Sequence, residues 1–293
     1  GLIVAGGSDG SLTAWYGRGG QNIWTVRNAH AGRVAAVAFY GGRLFSAGPE
    51  GILVWNQTTG LRVNMTLQGS LAATAVTSLA VYDGRLLGGG DHLTAWNVSD
   101  GKQLWQRPRQ HVLSMAVVGP LLRCGSATNI TTVNVTNGQE GAAAVPVRSP
   151  ATSLVMHGQA LYVGGADGSL TREGPAGQKV VIEAAHSGPI ISLLTFWGKL
   201  FSGGGGQIRV WSHDAEPLWK IYGGSACLTA YNGRVLSAGQ DVEAHHVFRD
   251  MQRRWSDDTA AAGNVSSVAT DGTWLFTGSD DGITVRNATS GVV

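Results

Sequence analysis

Short apolar runs recur along the whole chain, and glycine-rich turns separate them. Ala95–Trp105, AWNVSDGKQLW, shows the pattern most clearly. Leu93 and Ala95 alternate with Thr94 and Trp96, which is the period of a strand. Asn97 to Gly101 has turn chemistry, because Asn and Asp bond their own backbone and Gly supplies positive φ. Lys102 to Trp105 then resumes a strand. No segment carries a helical period. The Ala-rich piece Leu71–Ala80 comes nearest, and it reads as a loop entering a strand.

The unit repeats. An apolar strand, a tight turn and a second strand ending in a bulky residue first occur at Leu2–Trp15. Copies follow at Arg43–Trp55, Arg85–Trp96, Leu121–Val133, Ala160–Arg172, Lys199–Trp211, Arg234–His245 and Trp274–Arg286. A further β-branched or apolar run precedes most of them, as at Val34–Tyr40, Val76–Tyr82 and Ile190–Trp197. A fourth run follows the turn, as at Gln21–Val26, Lys102–Gln106 and Glu216–Ile221. Four strands in roughly 40 residues is the size of a propeller blade. Residues 1–293 therefore read as one all-β domain, a β-propeller of eight four-stranded blades, with seven blades as the alternative.

The strand count is uneven. Eight second and eight third strands are legible, but only seven inner and seven complete outer ones. The missing inner strand belongs to blade 1 and the missing outer strand to blade 8, so the chain reads as a fragment short of two strands. Sequence beyond Gly1 or Val293 would supply them in one chain, or a neighbouring copy would donate them and link propellers into a filament.

Two family resemblances follow from these residues. Arg43–Asn56, RLFSAGPEGILVWN, and Lys199–Ser212, KLFSGGGGQIRVWS, resemble the second and third strands of a WD-repeat blade. His30 and His186 resemble that family's Gly-His position, with Ala29 and Ala185 in place of the glycine. Pro49 and Gly205 stand where the family places a buried Asp, so its His–Ser/Thr–Trp–Asp network reads as incomplete. Ala95–Trp105 instead resembles the tryptophan-docking motif of quinoprotein-like propellers. Ala95, Gly101, Lys102 and Trp105 match that motif; Asn97 and Asp100 depart from it. Ala14 and Trp24 keep its spacing. Eight units favour the quinoprotein-like geometry. The resemblance is to the scaffold, because the adjacent cysteines and calcium site of quinoprotein dehydrogenases have no counterpart here.

Composition narrows the partners. Charged residues make up 14% and glycine numbers 44, which suits a turn-rich globular fold and not a disordered tail. The net charge is +2 and the basic residues are dispersed, with Arg253-Arg254 the densest pair, so no nucleic-acid stripe is present. No apolar run approaches the length of a membrane span, so membrane insertion is not expected. The sequence opens on Gly1 with no signal peptide, as expected of a processed product or a fragment.

Asn-x-Ser/Thr is the strongest signal beyond the fold. Seven of the 11 asparagines head one: Asn56, Asn64, Asn97, Asn129, Asn134, Asn264 and Asn287. Chance predicts about 1.6 such motifs for this composition. Asn56, Asn97, Asn134 and Asn287 each start the turn after a third strand, with Gly four residues on. Turn chemistry explains why these positions are polar, since Asx residues favour such turns. It does not explain why all four are Asn, nor why Asn64, Asn129 and Asn264 carry the motif elsewhere. The four turn sequons are expected on one face, Asn129 and Asn264 toward the opposite face, and Asn64 on an outer strand at the rim.

The other chemistry-bearing residues read as structural. Cys124 and Cys227 fall three blades apart, too far for a bridge, and read as buried small hydrophobes. Trp24 and Trp105 read as docking residues between blades. For Trp219 and Trp255 a docking role and a binding stripe both stay open. His245-His246 takes a position where other blades have Trp, which suggests packing. His92, His111, His157 and His213 lack metal-ligand spacing, and Ser8-Asp9-Gly10 and Asp280-Asp281-Gly282 read as turns and not calcium loops. No nucleophile elbow, phosphate loop or zinc signature occurs.

These readings lead to a secreted, N-glycosylated β-propeller acting as a structural or protein-interaction scaffold, extracellular or at the cell surface. Its expected partners are other proteins or copies of itself. No cofactor and no enzymatic activity are expected. An intracellular WD-repeat adaptor is the second reading and a quinoprotein-like propeller enzyme the third.

Overall fold

The computed structural model describes residues 2–16, 21–69, 76–108, 110–141, 143–175, 177–222, 227–239, 241–247, 252–257, 265–270, 272–279 and 282–292. Among them every regular element is a β-strand, and every sheet is an antiparallel meander of three or four strands. There are eight such sheets, so the fold is an all-β, eight-blade propeller. No helix of the described residues is long and apolar enough to cross a membrane.

The chain divides into two compact units. The first covers residues 2–16 and 21–151 and holds blades 1 to 4. Blade 1 comprises Leu2–Gly6, Leu12–Tyr16 and Asn22–Val26; blade 2, Ala36–Tyr40, Arg43–Gly48 and Gly51–Asn56. Blade 3 is complete, with Val76–Tyr82, Arg85–Gly90, Leu93–Asn97 and Gln103–Arg107. Blade 4 has Ser114–Val118, Leu121–Gly125 and Asn129–Asn134, plus a two-residue outer strand, Val145–Pro146. The second unit, residues 152–293, holds blades 5 to 8. Blade 5 comprises Ala151–His157, Ala160–Gly165, Leu170–Glu173 and Lys179–Ile182; blade 7, Cys227–Tyr231, Arg234–Ala238, Val242–His246 and Gln252–Asp257. Blade 6 comprises Ile190–Phe196, Lys199–Gly204, Gln207–Trp211 and Pro217–Tyr222. Blade 8 has three strands, Val265–Thr270, Trp274–Ser279 and Gly282–Asn287.

One expected strand does not form. The outer run of blade 2 is reduced to a single bridge, Trp55 with Arg62. Past it the Val63 carbonyl accepts from Met65 N–H at 2.8 Å, which turns the chain away. The segment then binds blade 3, with Gln68 N–H donating to Gly101 O (2.9 Å) and Trp96 Nε1–H donating to Gln68 O (2.8 Å). Part of Leu71–Ala80 lies outside the described residues; its remainder enters the inner strand Val76–Tyr82.

Strand alternation gives each blade two apolar faces, and adjacent blades bury them together. Phe45 and Val54 of blade 2 pack with Leu86 and Trp96 of blade 3, while Leu44 and Trp55 pack with Leu12 and Ala14 of blade 1. Inner strands are also tied by hydroxyls. Thr77 Oγ1 donates to Gly89 O in its own blade and Val112 O before the next (3.1 and 2.8 Å). Thr152 Oγ1 repeats this with Gly164 O and Ile190 O (2.9 and 2.6 Å).

Candidate functional site

Three kinds of polar cluster are built on this frame. The first lies inside blades 2 and 6. Arg43–Gly48 pairs Gly51–Asn56 with Leu44 opposite Trp55, which places Ser46 one step along the same face as the indole. Trp55 Nε1–H donates to Ser46 Oγ at 2.8 Å, and Ser46 Oγ lies 2.7 Å from His30 Nε2. Glu50 Oε2 sits 3.1 Å from His30 Nδ1 while Oε1 accepts from Ala31 N–H at 2.9 Å. The carboxylate favours the proton on Nδ1, so Nε2 accepts from the serine hydroxyl. Partial burial opposes ionisation of Glu50. The backbone N–H of Glu50 itself and of Ala31, with His30, outweigh it and hold the carboxyl below its usual range. Blade 6 repeats the motif with Trp211, Ser202 and His186 at 2.8 and 2.7 Å, and His186 Nδ1 donates to Gly204 O at 2.8 Å.

The His–Ser–Trp part of the network is thus assembled in both blades, and the buried Asp is missing from both, as expected. Glu50 supplies the carboxylate one residue beyond Pro49, and a main-chain carbonyl takes its place in blade 6. Ser46, His30 and Glu50 stand in the order of a hydrolase relay, with a hydrogen bond from serine to histidine and the carboxylate beside the ring. Ser46 is 0% exposed and its oxygen is occupied by the indole, so no substrate atom reaches it here.

The second cluster is the turn after the third strand, where four expected sequons sit. Asn56, Asn97, Asn134 and Asn287 each end a third strand. Each Oδ1 accepts from the N–H two residues on: Thr58 (2.9 Å), Ser99 (2.8 Å), Thr136 (2.8 Å) and Thr289 (2.9 Å). Each Asn main-chain carbonyl accepts from the glycine four residues on, at 2.8–2.9 Å. Those glycines have φ between 68° and 78°, the left-handed region that Asx turns hand on to glycine. The side-chain carbonyl is used and the amide nitrogen is left for other chemistry.

The same turns receive the preceding blade. The carbonyl one residue past the asparagine accepts a side-chain donor from that blade. Trp24 Nε1 donates to Gln57 O (3.0 Å), Trp105 Nε1 to Val135 O (2.9 Å), and Arg234 Nη1 to Ala288 O (3.3 Å). Arg43 Nη1 donates to Val98 O. In blade 6, where Ser212 replaces the asparagine, His213 O accepts from Tyr162 Oη and from Arg172 Nε at 3.2 Å. Trp24, Trp105 and Trp255 lay their rings on Gly60, Gly138 and Gly291, so Trp255 is a docking residue. Trp219 instead packs in the cluster of Phe201, Val210 and Val247, with Lys199 Nζ 5.7 Å from its ring centroid.

The remaining sequons lie elsewhere. Asn129 begins the third strand that Asn134 ends, so the two sit at opposite ends of one strand, and its Oδ1 accepts from Ser126 Oγ at 2.9 Å. Asn64 is exposed in the segment that leaves blade 2, on a recess of about 330 Å³ lined with Arg62, Val63, Met65 and Thr66. Its expected outer strand is the one that does not form. Asn264 lies outside the described residues.

The third cluster was not legible as a unit. In blade 7, the buried carboxylate of Glu243 lies 3.1 Å from His245 Nε2 and 3.0 Å from Arg253 Nη1. Burial opposes its ionisation, but bonds from His245 and Arg253 hold its carboxyl below the usual range. His245 fills the tryptophan position opposite Val235, so it packs as expected and also carries an ion-pair partner. In blade 8 the buried Arg286 fills that position and donates to Thr277 Oγ1 at 3.1 Å. His157 and His213 meet edge to face at 5.0 Å, which their sequence separation hides.

Burial pushes the Cys124 thiol up to about 12 and the Cys227 thiol to about 11, so neither supplies a thiolate at neutral pH. Among the described residues no three His, Cys, Asp or Glu side chains converge to hold a metal.

A model of the family described as outer membrane protein assembly factor BamB matches residues 8–293. Three solved structures share the fold. The computationally designed Ika8 protein is 20% identical with a TM-score of 0.84, over 98% of this chain and 93% of that one. BamB from Moraxella catarrhalis is 14% identical with a TM-score of 0.73, over 97% and 92%. A chain of a mitotic checkpoint complex is 16% identical with a TM-score of 0.71, over 86% of each. No curated protein sequence matches the chain.

Proposed function

The chain belongs to the family described as outer membrane protein assembly factor BamB, and on that premise we propose that it is a secreted, N-glycosylated β-propeller that serves as a non-enzymatic protein-interaction scaffold. Four repeated turns carry the reading. In each, the Asn side-chain carbonyl is held by the turn and the glycan-accepting amide nitrogen is not part of the bond. A glycan on that nitrogen leaves the Asx turn and the docking carbonyl next to it intact. Glycans also supply solubility where only 14% of residues are charged. An interaction role fits the company of the fold, which includes a protein assembly factor and a chain of a checkpoint complex. The inaccessible serine of the Ser46–His30–Glu50 chain supports a non-enzymatic reading. The experiment is an intact mass of native protein before and after enzymatic removal of N-glycans. A fall in mass supports the secretory route; an unchanged mass removes it.

A second reading, an intracellular WD-repeat adaptor, draws on the His–Ser–Trp networks of blades 2 and 6. It predicts no glycan at any sequon, so the same measurement separates the two.

A further inference from the structure

We propose that Arg209, Lys220 and Tyr222, on the outer half of blade 6, bind an oxyanion of the phosphate or sulfate class. Gln207–Trp211 pairs Pro217–Tyr222 with Arg209 opposite Lys220 and Gln207 opposite Tyr222. The alternation of both strands puts these four side chains on one face. Two cations directly opposite each other repel, and such a pair destabilises a sheet unless something neutralises it. Among the ion pairs of the described residues, none involves Arg209 or Lys220.

Part of this donor set is unspent, although Lys220 also bonds the Tyr222 hydroxyl. Arg209 stacks over Trp211, 5.8 Å from the ring centroid, and its buried Nε has no hydrogen-bond partner among the described residues. Lys220 Nζ is 4.5 Å from the Tyr222 ring centroid, and Tyr222 is 76% exposed, so solutes reach the spot. Both cations act on the same two neighbours. His186, below them in the Ser202 network, is depressed to about 4, by burial first and then by Arg209 and Lys220. Tyr222 is lowered by Lys220 first, with Arg209 contributing. Their fields therefore overlap between His186 and Tyr222.

The ligand class follows from the donors. A guanidinium fork and an ammonium both suit oxyanion oxygens, and the tyrosine hydroxyl adds a third donor. A single carboxylate balances one cation, whereas a dianion balances both. Neutralising the pair removes part of what holds His186 uncharged, so by linkage an anion raises the histidine's midpoint.

The test follows the His186 imidazole by NMR through a pH titration of the full chain. Inorganic sulfate is the first probe, because its charge is fixed across the range, and chloride at equal ionic strength is the reference. A sulfated oligosaccharide is run in parallel. Sulfate is expected to raise the His186 midpoint saturably. Lys220→Gln, an exposed change, should weaken that effect about tenfold or more. Lys199→Gln, on the other face beside Trp219, should leave it unchanged. A response to the oligosaccharide alone also supports the site and assigns the anion to a larger carrier. If neither probe moves the midpoint relative to chloride, or if Lys220→Gln responds like the parent, the proposal is overturned.

Discussion

Trp105 of blade 3 and Gly138 of blade 4 fit only as a pair. The indole donates to Val135 O at 2.9 Å, and a Cβ on Gly138 would lie 2.6 Å from its ring. Gly138 also has φ of 70°, so a side chain there is strained as well as obstructed. The same contact recurs at Trp24 with Gly60 and Trp255 with Gly291. The turn that bears a sequon is therefore also the socket of the preceding blade.

Trp105→Ala should destabilise the fold by about 3 kcal/mol, as aromatic truncations do. Trp105→Phe keeps an aromatic ring but loses the pyrrole half of the indole and its N–H, at about 1–2 kcal/mol. Gly138→Ala should cost about 1–3 kcal/mol through overpacking. Urea denaturation of the three variants gives the order. A Gly138→Ala protein as stable as the parent would show that the ring does not sit on this glycine.

The serine networks make a paired prediction. Ser46→Ala strands the Trp55 N–H and His30 Nε2 in a buried site and should cost about 1–3 kcal/mol. Ser237 occupies the equivalent place in blade 7, is equally buried, and its Oγ has no hydrogen-bond partner among the described residues. Ser237→Ala should be neutral or mildly stabilising. Equal losses from both variants would mean that the hydroxyl bonds contribute nothing specific.

His186 should make stability depend on pH. Its ordinary value is 6.5, and burial, Arg209 and Lys220 depress it to about 4 in the folded protein, against the Gly204 carbonyl. The unfolded chain therefore binds more protons between those values. The contribution is whole above 6.5, falls as pH drops toward 4, and stays lost below that. Thermal melts across the range should show the decline, and His186→Gln should flatten that part of the profile. A decline of the same size in the variant would assign the effect to other groups.

Blade number and the second and third strands were legible because each unit carries its own alternation and turn residues, as at Arg85–Trp96. The outer strand of blade 2 was not, because what diverts it is tertiary: Gln68 and Gly101 bond across blades, 33 residues apart in sequence. The docking tryptophans were half legible. Trp24 and Trp105 keep the motif spacing, while Trp255 reaches the same kind of glycine from a different offset. Glu50 is not legible as the neighbour of His30, because the family's acidic position falls one residue earlier, at Pro49. The Arg209–Lys220 pair is invisible without the strand register that sets the two side by side.

Glycan mapping of native protein from its natural source tests the account most directly. The central claim is that the docking turns are also glycan acceptors. Peptides bearing Asn56, Asn97, Asn134 and Asn287 should each carry an N-linked glycan, and enzymatic removal should lower the intact mass accordingly. An intact mass equal to that of the bare polypeptide, with all four asparagines unmodified, would contradict the claim and leave turn geometry as the whole reason for those residues.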